Sequence, residues 1–178
     1  MNIELRPATT GDIPALQELI RASVTGLSTS HYTSAQIASA LSHVFGVDAQ
    51  LIADGTYFVA EVEGQLAGSG GWSKRTTLFG GDQSKSDHVD SLLDPTVEAA
   101  RIRAFYVHPR WSRMGVGSRI LTACEEAARA AGFTRIELVA TLPGEALYTA
   151  RGYEKAEPMQ LETPDGEALP AFRMTKVL

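Results

Sequence analysis

One cysteine, Cys124, stands in the whole chain of 178 residues. Alone it can neither close an internal disulfide nor build a thiolate zinc cluster. A basic excess is missing too: sixteen Lys and Arg face twenty-one Asp and Glu, a formal charge of −5. A nucleic-acid binder carries a basic patch or stripe, so nucleic acid is not an expected partner. No apolar run approaches the ~18 residues that span a bilayer. The opening Met1-Asn2-Ile3-Glu4-Leu5-Arg6 lacks the basic and apolar regions of a secretory signal. The expectation is a cytoplasmic protein with no membrane partner. Repeats and low-complexity tracts are absent as well, which excludes solenoids and fibrous arrays.

What is present is ordinary for a globular fold. Apolar residues make up 44% and charged residues 21%. The length suits a single domain over residues 1–178. A chain of this size buries roughly 70% of its unfolded surface, so it needs no metal or disulfide staple; no metal site is expected.

Apolar alternation marks a short strand at Ile3 to Pro7. A helix opens at Asp12 and Pro14 and carries Leu16, Leu19, Ile20 and Val24 on one face. Thr33 and Gln36 fit a capping box, Ile37, Leu41, Val44 and Phe45 form the next stripe, and Gly46 ends it. Tyr57 to Val62 and Gln65 to Trp72 read as a hairpin turning at Glu63-Gly64. Gly68, Gly70 and Gly71 in its second strand predict a bulge or a close backbone approach.

Residues 74–99 break the pattern, with three basic and five acidic residues and one apolar patch at Leu92-Leu93. An insertion this long is either a functional or mobile loop or a plain surface excursion. Regular structure resumes with a strand from Ile102 to Val107, where Pro109 holds His108 extended. A turn at 110–115 leads into a helix reaching Ala131, with Ile120, Leu121, Cys124, Ala127, Ala128 and Ala131 on one face and Gly132 as its stop. A strand follows at Phe133 to Thr141, then a short helix from Pro143 to Ala150 closed by Gly152. The chain ends in a hairpin around Pro164-Asp165-Gly166. The order β α α β β β α β α β β predicts an α/β fold, a mixed sheet of about seven strands with helices on both faces.

The segment Val107-His108-Pro109-Arg110-Trp111-Ser112-Arg113-Met114-Gly115-Val116-Gly117-Ser118 carries the chemistry. A strand ends, glycines make a tight turn and a long helix begins. The first amides of that helix lack internal partners and, with the helix dipole, suit a phosphate. Gly115 and Gly117 let a diphosphate approach the backbone, and Arg113 can add charge at the rim. Ile120 stands where a dinucleotide fingerprint needs a third glycine or alanine, and no Lys-Ser or Lys-Thr pair completes a P-loop.

With its neighbours, this segment resembles the GNAT superfamily of acyl-CoA-dependent N-acetyltransferases. Phe105-Tyr106-Val107-His108-Pro109 is similar to the family's splayed strand, and Arg113-Met114-Gly115-Val116-Gly117-Ser118 to its pyrophosphate loop. Ala146-Leu147-Tyr148-Thr149-Ala150-Arg151-Gly152-Tyr153 is similar to its "ALY…GF" element. The likeness covers nearly the whole chain outside 74–99. It departs at Ser112, where the family often has Gln or Arg.

The resemblance implies a GNAT-type, centrally splayed sheet and acetyl-CoA as donor. It implies that Phe105, Tyr106, Val107, Arg113, Met114, Gly115, Val116, Gly117 and Ser118 bind coenzyme A. Backbone groups of Phe105 and Val107 would pair with the pantetheine amides, and an amide near Val107 would polarise the thioester carbonyl. Tyr148 would protonate the leaving thiolate, a role that a neutral phenol can fill at pH 7. The acceptor would be the primary amine of a small molecule or peptide, and dimers are common in the family.

Other readings of single residues stay open. Tyr148 also reads as a packed aromatic. Tyr153 and Cys124 read as core, and His108 as a surface or capping residue. Trp72 and Trp111 read as packing or acceptor-pocket walls, with Trp111 near enough to the loop to cover the cofactor. Glu61, His108, Asp82, Asp87, Asp90, Asp94 and Glu98 are candidate bases, alongside a water relay. Arg101 or Arg103 would favour an acidic acceptor if either guanidinium faced the cleft, whereas the acidic surface favours a cationic or neutral one. A non-catalytic CoA-binding module and an ADP- or NAD-binding enzyme are the rival functions.

Overall fold

The computed structural model describes residues 1–85 and 89–178. Asp87, one of the candidate bases, lies outside the described residues. Among the described residues, seven strands form one sheet in the order β1-β2-β3-β4-β5-β7-β6. They are β1 (Glu4–Pro7), β2 (Tyr57–Val62), β3 (Gln65–Ser73), β4 (Ala100–Val107), β5 (Arg135–Thr141), β6 (Glu154–Glu162) and β7 (Ala168–Val177). The helices are α1 (Ile13–Leu27), α2 (Ser34–His43), α3 (Ala49–Ala53), α4 (Val116–Ala130) and α5 (Glu145–Ala150). Among the described residues, no helix is long and apolar enough to cross a membrane.

Helix α2 begins where its capping box predicts. Thr33 Oγ1 accepts from the Gln36 amide at 3.1 Å, and Gln36 Oε1 accepts from the Thr33 amide at 2.9 Å. The β2–β3 turn holds Glu63 and Gly64 at φ of 53° and 72°, the left-handed pair that matches strand twist in a two-residue hairpin.

Two layers cover the sheet. On one face α4 packs Ile120, Leu121 and Cys124 against Ile136, Leu138 and Ala140. On the other, α1 sets Leu16, Leu19, Ile20 and Val24 against Tyr57, Val59 and Ala171. Two details differ from the sequence pattern. Ala131 lies beyond α4 and is exposed, while Glu125 is buried within the helix and paired with Lys176 at 2.9 Å. A charge at that position is tolerated because its partner is supplied by β7. Helix α3 was not foreseen: five residues give no readable period, yet Asp48 caps it by accepting from the Leu51 amide at 3.2 Å.

All neighbouring strands run antiparallel except β4 and β5, which are parallel and register only through Ala100–Ile136 and Arg101–Glu137. Beyond Arg101 the two strands part. On β4's other side, the register with β3 jumps from Gly71–Arg103 to Ser69–Tyr106. Ala104 and Phe105 thus oppose Gly70 alone, with Ala104 at φ 52°. This bulge bends β4 and increases its twist. Gly70 is required opposite it, because a Cβ there would sit 2.4 Å from the Phe105 ring.

Candidate active site

The gap between β4 and β5 opens into a cleft of about 540 Å³. One end is made by the start of α4. Gly115 sits at φ 88° with open space where a Cβ would be, and no side chain caps the helix. Its first turn closes with the Arg119 amide on the Gly115 carbonyl at 3.0 Å. The amides of Val116, Gly117 and Ser118 precede that bond, so they have no carbonyl one turn back to bind. Gly117 lies against Leu147, which a Cβ would meet at 2.9 Å.

Ser112, Arg113, Gly115, Gly117 and Ser118 line this end, and Phe105, Tyr106 and Val107 line the strand side. Two predicted cofactor residues stand apart from the cleft wall. The Val116 side chain is buried in the core against β3 and that of Met114 is exposed, so neither side chain lines the cleft and only their backbone amides are left to serve it.

Tyr148 lines the same cleft. It is buried and stands edge-on to Phe105 at 5.9 Å and to Tyr153 at 5.7 Å between ring centroids. Burial pushes its phenol well above the usual tyrosine range. The proton therefore stays on at neutral pH. The Val107 amide points away from β3 and donates to Ser23 Oγ of α1 at 3.3 Å.

The far end is apolar and was not read from the sequence as a wall. It takes Val24 and Leu27 from α1, Val44 and Phe45 from just beyond α2, which stops at His43 rather than running on to Gly46, and Leu78 and Phe79 from the 74–99 segment. The only signal was the apolar stripes themselves, which look the same whether they face a core or a cleft. The described part of 74–99 is fastened down. Arg75 grips Asp54 at 2.7 Å, Lys85 reaches Asp48 at 2.8 Å, and the Gly81 amide donates to the Val44 carbonyl at 2.8 Å.

The candidate bases fall elsewhere. Glu61 accepts from Arg6 at 2.7 Å, Asp82 takes the Ala49 amide at 3.1 Å, and Asp90 takes the Thr77 amide at 2.8 Å. Asp94 caps Thr96 and Glu98 takes the Asp94 amide. His108 caps the turn after β4 by accepting from the Arg110 amide at 3.1 Å. None of these six lines the cleft.

The two arginines offer no free fork. Arg103 lines the cleft, but its guanidinium is fully buried and ion-paired with Asp48, with the Thr77 carbonyl at 3.3 Å. Arg101 is paired with Glu137. Trp111 is buried in the core and does not cover the loop, and Trp72 packs edge-on to Phe133. Cys124 is buried with Sγ facing the Gly70 carbonyl, and burial pushes its thiol well up.

Residues 22–153 match the model of the Acetyltransferase (GNAT) family. The chain belongs to this family. It is accordingly an acetyltransferase, and acetyl-CoA is the family's donor. Solved structures agree on the fold. The GCN5-related N-acetyltransferase from Rhodopseudomonas palustris aligns over 100% of this chain and 97% of its own, with a TM-score of 0.74 at 22% identity. The PaiA N-acetyltransferase from Thermoplasma acidophilum, in complex with coenzyme A, aligns over 100% of both chains, with a TM-score of 0.67 at 16% identity. A phosphinothricin acetyltransferase from Sinorhizobium meliloti, in complex with acetyl-CoA, covers 100% of this chain and 89% of its own, at 0.65 and 22%. No curated protein matches the chain.

Proposed function

We propose that this GNAT acetyltransferase moves the acetyl group of acetyl-CoA directly onto a primary amine in a ternary complex. The observation that carries the reading is one cleft that joins an uncapped helix start, an outward-facing strand amide and a buried phenol. Residues 1–178 are taken as one domain with 74–99 inserted into it.

The residues fit coenzyme A. The open amides after Gly115 suit a pyrophosphate, and Arg113 stands beside them at the rim. The parted edge of β4 leaves the Phe105–Val107 backbone free to pair with an amide-bearing chain as a strand would. Bound there, the donor supplies an activated thioester carbonyl. The Val107 amide is aimed to stabilise charge on that carbonyl oxygen once Ser23 gives it up. Tyr148 holds a proton for the departing thiolate. An enzyme thiol is not required, since Cys124 is buried away from the cleft wall and strongly protonated.

The test is mass spectrometry of the protein after mixing with acetyl-CoA alone, paired with a thiol-release assay across primary amines. The reading expects no acetylated protein and amine-dependent thiol release. A stable acetyl-enzyme formed without amine would replace the direct route with a two-step one.

A further inference from the structure

The far end of the cleft has a chemistry of its own. Its walls are mostly apolar, with Val24, Leu27, Val44, Phe45, Leu78 and Phe79 beside Ser28 and Gly80. Among the described residues, no Asp, Glu, His or Lys lines the cleft, and its only charged side chains are Arg103 and Arg113. Arg103 is already neutralised by Asp48, and Arg113 stands at the turn that begins α4. A protonated amine entering this space would lose water and find no carboxylate among the described lining residues to pair with. Among the described residues lining the cleft, it would also find no side-chain base to remove its extra proton.

We infer that the acceptor is a weakly basic aromatic amine, uncharged at neutral pH and carrying an apolar body. This rests on the direct-transfer reading above and specifies its acceptor. Such an amine arrives with its lone pair free, which explains why a cleft without a base suffices. The flat ring suits walls bearing Phe45 and Phe79. In the step itself, the amine lone pair makes the new C–N bond and the thioester C–S bond breaks. The Tyr148 phenol gives its proton to the thiolate, and the surplus proton on nitrogen restores the phenol. The products are an anilide and a free thiol.

The test compares para-propylaniline with its ring-saturated counterpart, para-propylcyclohexylamine, which has the same reach but is protonated at pH 7. Binding of each to the CoA-loaded protein is measured by calorimetry, and thiol release from acetyl-CoA is measured in parallel. The aniline is expected to bind about tenfold tighter or more, with a kcat/KM higher by a similar factor. In Phe79→Asp, at a partly exposed position, the added carboxylate is expected to move both ratios toward the saturated amine. Equal or better binding and turnover of the saturated amine by the unaltered protein overturns the proposal while leaving direct acetyl transfer intact. Failure of CoA itself to bind removes the underlying reading and the acceptor with it.

Discussion

The Val107 amide of β4 donates to the hydroxyl of Ser23 on α1, 84 residues earlier in the chain, at 3.3 Å. A strand amide facing a parted sheet edge would otherwise be orphaned, and the hydroxyl satisfies it until an acyl oxygen arrives. Ser23→Ala is expected to lower stability by about 1 kcal/mol, the cost of one lost buried hydrogen bond. It should also tighten acetyl-CoA binding, because no hydroxyl then competes for the amide. Chemical denaturation and calorimetry read the two effects. Weaker acetyl-CoA binding would mean that Ser23 itself contacts the donor.

Tyr148 is the group most exposed to refutation. Tyr148→Phe is expected to reduce kcat by about tenfold or more while acetyl-CoA still binds. The ring contacts with Phe105 and Tyr153 survive in that variant, so loss of packing does not cloud the result. The pH profile adds a second reading. Burial raises the folded-state value, so the acid form persists as pH rises through the ordinary phenol range near 10. Activity that depends on this proton should therefore hold through about pH 10 and fall only above it. An unchanged kcat in Tyr148→Phe takes the residue out of the mechanism.

Gly70 ties the bulge to the cleft. A methyl there would meet the Phe105 ring at 2.4 Å and Ile120 Cγ2 at 2.9 Å. Gly70→Ala is expected to cost about 1–3 kcal/mol, as overpacking in a filled core does. Because Phe105 lines the cleft beside Tyr148, acetyl-CoA affinity should fall as well. Thermal unfolding with and without CoA separates the two effects. A neutral Gly70→Ala would mean the bulge tolerates a side chain opposite it.

Arg103 and Asp48 form a buried pair between β4 and the cap of α3, with Lys85 joining from the inserted segment. Arg103→Leu leaves the Asp48 carboxylate short of its closest partner, and a loss of about 3–5 kcal/mol is expected. The Arg103→Leu/Asp48→Leu double variant should recover only part of it, because Asp48 also caps α3 and holds Lys85. If Arg103 instead served the acceptor, the single variant would be stable and would lose only acidic amines.

Much of this was legible in sequence because it is written locally. The α2 capping box, the Glu63-Gly64 turn and the Gly115-Val116-Gly117 run each fix a backbone shape within a few residues. The strand–helix–strand succession over 101–141 is the pattern of a parallel pair with a crossover helix, and β4 and β5 do pair in parallel. What escaped is set by partners far along the chain. Gly70 hinted at a bulge, but nothing about Ala104 marks it for a φ of 52°. Arg103 alternates like a surface residue, yet its partner Asp48 sits 55 positions away and buries it. Val24 and Val44 follow core periodicity and still end at a cleft. Acidity alone marks the candidate carboxylates, whereas Arg6 claims Glu61, the distant Ala49 and Thr77 amides claim Asp82 and Asp90, and amides within four residues claim Asp94 and Glu98.

Thermal unfolding with acetyl-CoA, CoA, NAD and ATP added separately shows whether the cleft holds coenzyme A. A ligand at about 100 times its Kd stabilises by about 2.7 kcal/mol, or about 5–10 °C in Tm for a domain of this size. A shift of that order is expected with acetyl-CoA and CoA alone. No shift with either, or an equal shift with NAD or ATP, would make the start of α4 a structural turn or a site for another ligand, and would contradict the account.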